Sequence, residues 1–295
     1  MNRAPNEASF LIVGTCRNVE GTIESDLARI RSAIPSENVS FLVVESDSSD
    51  GTVSTLLKLK QKVKNFRYFT EGALIHRMNE RVERISFCRN KYLKDIKENP
   101  LYRDIDYVIV ADLDGLNSNI TKEYFLTCWN RVDWNVCCAN QLNSYYDLYA
   151  LRHELWNPCD CFMQRDFICL YSNPRNKTHT KLEESIILSK VIKIPEEAPW
   201  IEVDSAFGGL AIYKRDTIIL GSYNHLDSYG RLACEHVQLH SDIKKSGGRI
   251  FINPSFINAI ETEHTKNIFI SKFWRRQLRS IDKRLHFLKH FLRKR

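Results

Sequence analysis

Three times in the first 117 residues, consecutive apolar positions run into a polar turn. FLIVGTCRN (10–18) reads as a buried strand, and VEGTIESDLARIRSAI then carries Ile23, Leu27, Ile30 and Ile34 at helical spacing. SFLVVESDSSDGT (40–52) repeats the pattern, with Val53, Leu56, Leu57 and Leu59 on a helix that Asp50 or Ser49 caps and Gly51 eases into. YVIVADLDGLN (107–117) is the third run, its β-branched and aromatic residues favouring a buried strand and its Gly115 and Asn117 a turn. Alternation of strand and helix at this spacing predicts a parallel sheet with crossover helices. Further on, LAIYK (210–214) and the IFINPSF run (250–256) are strand-like. CEHVQLHSDIKK (234–245) is helical and stops where Gly247 and Gly248 follow Lys244 and Lys245. Residues 122–175 show no clear period, and the polar stretch 172–198 reads as a loop closing over a ligand or as an exposed connection.

The third run carries chemistry. Asp112 and Asp114 stand one residue apart at the carboxyl end of a strand, where open α/β sheets bind ligands. Hard carboxylate oxygens suit Mg²⁺ or Mn²⁺, which bridge protein carboxylates to substrate phosphates. Aspartates also cluster in turns for conformational reasons, so the pair alone leaves both readings open.

The order of motifs resembles that of GT-A fold, nucleotide-sugar-dependent glycosyltransferases (family 2-like). CRNVEGTIESDLARI is similar to that family's opening strand-turn-helix, VVESDSSDGT to its second strand and turn, ERISFCRNKYL to the helix before the metal strand, and VADLDG to its D-x-D. The resemblance spans roughly residues 9–265 and is densest in the first 120. It implies a GT-A-like single α/β domain over 1–268, a mostly parallel central sheet flanked by helices, that moves a sugar from a nucleoside diphosphate sugar to a glycan or lipid-linked acceptor in surface polysaccharide synthesis. Asp112 and Asp114 would hold Mn²⁺ or Mg²⁺, with His264 in ETEHT as a late third ligand. Thr15, Arg17, Glu45, Asp47, Arg89, Asn90, Asp112, Leu113, Gly208 and Gly209 would border the donor. Glu45 departs from the family, which usually has aspartate there, so nucleotide preference does not carry over. Tyr145, Tyr146, Trp156 and Arg165 would line an acceptor surface or pack in the core.

Two carboxylates are candidates for acting at the acceptor. Glu235 opens the 234–245 helix, either as the base beside the attacking hydroxyl or as a first-turn acid stabilised by the helix dipole. Asp204 precedes the Gly208–Gly209 pair, as a catalytic or sugar-binding acid or as a turn aspartate. HVQLH (236–240) has valine where a zinc hydrolase needs its glutamate. A nucleotidyltransferase would need a better glycine-rich phosphate loop than VGTCRNVEG; a catalytically inert, membrane-associated binding protein with the same fold is the other alternative.

Composition fits one large domain: 295 residues, 43% hydrophobic and 27% charged. Its apolar runs are strand-sized, and MNRAPNEASF lacks a signal-peptide core. Nine irregularly spaced cysteines, including Cys137–Cys138 and Cys159 with Cys161, therefore read as reduced thiols in a cytoplasmic protein, and the sequons at Asn38, Asn119 and Asn176 as unused. Residues 269–295 hold ten lysines and arginines against one acid, Asp282, more than the whole net charge of +7, and among them Trp274, Leu278, Ile281, Leu285, Leu288 and Leu292 form an apolar helical stripe. Such a basic amphipathic helix is expected to lie on an anionic membrane surface, at the cytoplasmic face, rather than on nucleic acid. A helix packed on the domain or a dimer contact would give the same pattern.

Overall fold

The first apolar run forms β1 (Phe10–Cys16), and its helical sequel forms α1 (Ile23–Ala33). The second gives β2 (Val39–Glu45) and α2 (Thr52–Lys62), with Asp50 Oδ1 accepting from the Thr52 amide and hydroxyl at the helix start. β3 (Phe66–Thr70), α3 (Arg81–Glu98) and β4 (Tyr107–Ala111) follow, β4 ending immediately before Asp112. The middle of the chain adds α4 (Lys122–Leu126), β5 (Val136–Gln141) and α5 (Cys161–Ser172). The remainder adds β6 (Ile201–Val203), β7 (Leu210–Lys214), α6 (Arg215–Ile218), α7 (Glu235–Lys245) and β8 (Ile250–Ala259). The computed structural model describes residues 3–172, 182 and 185–260. His264, Asn176 and the expected helix at 269–295 lie outside the described residues.

The eight strands form one sheet, ordered β3-β2-β1-β4-β7-β5-β8-β6. β1 to β4 are mutually parallel, and β5 pairs parallel with β8. β7 enters antiparallel between β4 and β5, and β6 is an antiparallel edge on β8. The sheet is therefore mostly parallel, as expected, with one reversal that matters for the site. Because β7 runs against β4, Leu210 pairs with Ala111, and the Gly208–Gly209 turn lands beside Asp112.

Strand alternation divides the core between the two faces of the sheet. Phe10, Ile12, Phe41, Val43 and Ile109 join Ile23, Leu27 and Ile30 of α1 and Leu56 and Leu59 of α2 in one apolar cluster. The intervening positions Leu11, Val13, Leu42 and Val44 are also buried, toward the face where α3 crosses β1 and β2. All nine cysteines are free thiols; Cys137 and Cys138 are fully buried in β5 and pack as small apolar groups. Among the described residues no helix is long and apolar enough to cross a membrane.

Candidate functional site

Parallel strands bring their carboxyl ends to one edge of the sheet, and a pocket of about 360 Å³ opens there. Thr15, Cys16 and Arg17 reach it from the end of β1, Ser46 and Asp47 from the end of β2, and Asp112, Leu113 and Asp114 from the end of β4. Arg81, Arg84, Cys88 and Arg89 line it from α3. The pocket thus sets guanidinium groups against carboxylates, the pairing of charges that a phosphate ligand with a bound cation requires.

Arg89 ties the centre of the site together. Its side chain is 3% exposed; Nε donates to Glu235 Oε1 at 2.9 Å and Nη2 to Asp112 Oδ1 at 3.3 Å. Nη1 donates to the Tyr92 hydroxyl at 3.3 Å, and the guanidinium lies over the rings of Phe207 and Tyr223 at 5.2 and 5.6 Å. One cation serves several acids here. Burial pushes the Asp112 carboxyl up to about 7; Arg89 opposes that shift, and Asp114, Asp147 and Glu235 reinforce it. Burial likewise raises Asp147, whose Oδ2 accepts from the Gly208 amide at 2.9 Å.

The turn after β4 is held by backbone and amide groups. The Asp112 amide donates to Gly209 O at 2.9 Å, and Asn117 Nδ2 donates to Asp112 O at 2.7 Å. Asn258 Nδ2 donates to Asn117 Oδ1 at 2.8 Å and to Gly208 O at 2.9 Å, while Gln141 Nε2 donates to Asn258 Oδ1 at 3.0 Å. Gly208 and Gly209 have φ of +72° and +80°, and a Cβ on Gly208 would meet Ala139 O at 2.6 Å. The glycine pair thus packs against the Asp112 turn and β5, with both carbonyls engaged there.

The D-x-D side chains suit a hard divalent cation. Asp112 is 33% exposed in the pocket, Asp114 is exposed beside it, and Asp112 Oδ2 receives no hydrogen bond among the described residues. No cluster of three or more His, Cys, Asp or Glu with metal geometry occurs among the described residues. Two carboxylates completed by substrate phosphates and water are the usual set for Mg²⁺ or Mn²⁺.

The other residues singled out in the sequence fall in varied places. Thr15, Arg17, Leu113 and Asp47 line the pocket, although Asp47 is already committed to Arg84 Nε at 3.4 Å and to the Ile75 amide at 2.8 Å. Glu45 is 2% exposed, its oxygens taken by the Ser48 amide and the Thr70 hydroxyl, so it fixes the turn after β2 instead of facing a ligand. Asn90 clamps the backbone of Tyr223, Nδ2 donating to its carbonyl at 2.8 Å and Oδ1 accepting from its amide at 3.0 Å. Asp204 is not brought to the pocket: it sits beyond edge strand β6 and pairs with Lys244 at 3.5 Å, at the opposite end of α7 from Glu235. Tyr145 is buried against Trp156 with ring centroids 5.4 Å apart, and Arg165 pairs with Asp166 on the surface. Asp147 and Arg84 escaped sequence reading, since nothing in their local pattern marks them; only the fold brings them to the carboxylates and the pocket.

No protein-family model matches the chain, and no curated protein matches it by sequence. Solved structures do. The mannosyltransferase PcManGT from Pyrobaculum calidifontis, in complex with GDP-Man and Mn²⁺, superposes over 86% of this chain with a TM-score of 0.50 and 14% identity. This chain covers 57% of that one. Glucosyl-3-phosphoglycerate synthase from Mycobacterium tuberculosis, in complex with UDP, aligns over 86% of this chain and 70% of its own at 12% identity and TM-score 0.41. TarS 1–349 from S. aureus, in complex with UDP-GlcNAc, aligns over 45% of this chain and 34% of its own at 18% identity and TM-score 0.32. The likeness to PcManGT establishes the fold: that of the nucleotide-sugar glycosyltransferases of GT-A type.

Proposed function

We propose that this GT-A fold carries a metal-dependent glycosyltransferase that moves a sugar from a nucleoside diphosphate sugar to a glycan or lipid-linked acceptor. The observation that carries the proposal is the placement of Asp112 and Asp114 together at the carboxyl end of β4, in a pocket also walled by Arg17, Arg81 and Arg84. PcManGT, solved with GDP-Man and Mn²⁺, supports both the donor class and the cation. Asp112 and Asp114 would hold Mn²⁺ or Mg²⁺, which when bound neutralises charge on the departing diphosphate.

The chain's own groups do the rest. Thr15, Arg17, Leu113 and the α3 arginines bound the donor, and Arg89 orients Asp112 from behind through a guanidinium that Glu235 fixes in place. Because Glu235 is 6% exposed and bonded to Arg89, it serves as the anchor of that arginine. Burial raises the Asp147 carboxyl beside the same cluster, and the Gly208 and Ala150 amides hold its two oxygens, at 2.9 and 3.2 Å, so Asp147 braces the glycine turn. The basic segment 269–295 would hold the enzyme at an anionic membrane face near a lipid-linked acceptor, as in surface polysaccharide synthesis.

A thermal-shift screen of UDP-, GDP-, CMP- and dTDP-sugars with and without Mn²⁺ tests the donor class, since a ligand of the native state raises apparent stability. Stabilisation by one nucleotide family that requires Mn²⁺ is the expected result. A folded protein that responds to none of them would sink the proposal.

A further inference from the structure

Within this proposed function, we infer that Asp26, on α1 and outside the pocket, is the residue that aims Asp114. The two carboxylates of the D-x-D are not equally supported. Asp112 adjoins β4 and is fixed on either side of its side chain: its amide donates to Gly209 O and its carbonyl accepts from Asn117. Asp114 stands two residues further into the turn, exposed, and its Oδ1 accepts from the Leu116 amide at 3.3 Å, so its direction depends on how the turn continues through Gly115. The next residue, Gly115, has φ +94°, a left-handed conformation that side chains other than glycine's rarely adopt.

That turn is held from below by Asp26. Asp26 Oδ2 accepts from the Gly115 amide at 2.7 Å, joining positions 89 residues apart in sequence. The side chain is 0% exposed, and its second oxygen, Oδ1, has no hydrogen-bond partner among the described residues. Arg29 Nη1 stands 3.8 Å from that oxygen. An acid at a fully buried helix position with one oxygen unmatched is a costly choice where an apolar residue would complete the α1 face beside Ile23, Leu27 and Ile30. What it supplies is a single strong acceptor beneath the turn. Asp26 therefore acts as a positioning residue: it fixes Gly115, and through Gly115 the direction of Asp114, without touching the ligand.

The test uses Mn²⁺ titrated into the full chain with UDP or GDP present, free Mn²⁺ being read by electron paramagnetic resonance. Asp26→Leu, which fills the site but offers no acceptor, should weaken Mn²⁺ binding at least tenfold while leaving the melting temperature of the ligand-free protein near that of wild type. Asp26→Asn, which retains an acceptor oxygen, should stay within about threefold of wild type. Mn²⁺ binding by Asp26→Leu equal to wild type, or equal losses in the Leu and Asn variants, would overturn the inference. Should Asp26→Leu not fold, Asp26→Ser, too short to reach Gly115, is judged by the same two outcomes. Absence of nucleotide-dependent Mn²⁺ binding in wild type would instead remove the proposed function itself, and this inference with it.

Discussion

Arg89 is the residue on which the site's electrostatics turn, because one buried guanidinium is shared by Asp112, Glu235 and the Tyr92 hydroxyl. Replacing one member of a buried ion pair leaves the other charge uncompensated, at a cost of about 3–5 kcal/mol, whereas replacing both with apolar groups is often neutral. Arg89→Met should therefore destabilise the fold by about that amount, and Arg89→Met with Glu235→Leu should recover in urea denaturation the part owed to Glu235, Asp112 still lacking its partner. A single-variant loss below about 1 kcal/mol would show that the pair is not buried as described. The two halves of this unit were unequally legible in sequence. Asp112 and Asp114 announce themselves because a strand-forming run stops at them. The Arg89–Glu235 bond joins residues 146 apart, and the Asp26–Gly115 bond joins a helix face to a turn; no local pattern reports either. Glu45 and Asp47 were visible as acids after a strand, yet their partners Thr70, Ile75 and Arg84, contributed by later segments, occupy their oxygens.

At the level of elements, α7 joins the site to β7 through two histidines one turn apart. His240 is fully buried, with Nδ1 2.9 Å from Ser205 Oγ and Nε2 2.8 Å from the Tyr213 hydroxyl, and burial lowers its pKa to about 3. His236 stacks on Phe207 at 4.0 Å and is held well below the ordinary histidine value by burial, then by Arg89 and His240. The sign follows from linkage: below about pH 6.5 the unfolded chain protonates these rings and the folded one does not, so unfolding takes up protons and acid destabilises. The stability held by a neutral His240 is complete above about pH 6.5 and is lost as pH falls toward 3, roughly 1.4 kcal/mol per pH unit. Urea midpoints at pH 7.5 and 5.0 check this against His240→Gln, which removes the titrating group. The gap in stability between wild type and variant should shrink on acidification, and a gap that stays constant would contradict the assignment. The helix itself was readable from its spacing and its Gly247–Gly248 stop. The reversal of β7 was not, because LAIYK reads the same whichever way it pairs; that reversal is what puts the glycine turn against Asp112.

For the whole molecule, strand–helix alternation in the first third was enough to foresee a mostly parallel sheet, and the likeness to PcManGT places that sheet in the GT-A class. The fold gathers the ends of β1, β2 and β4 and one face of α3 around one pocket, and that convergence sets Asp112 and Asp114 against a ligand-sized space. The basic tail adds a separate prediction. Removing residues 271–295 should reduce sedimentation with phosphatidylserine-containing liposomes while sparing cleavage of a soluble donor, and equal loss of both would make the tail part of the catalytic fold. Metal-dependent sugar transfer is tested most directly by release of nucleoside diphosphate from a panel of nucleotide sugars, with Mn²⁺ or with chelator, in wild type and Asp114→Ala. Wild type should cleave one nucleotide class only with the cation, and Asp114→Ala should lose at least a hundredfold in rate while melting like wild type. Cleavage that persists in chelator, or in Asp114→Ala at the wild-type rate, would contradict a D-x-D-held cation as the centre of this site.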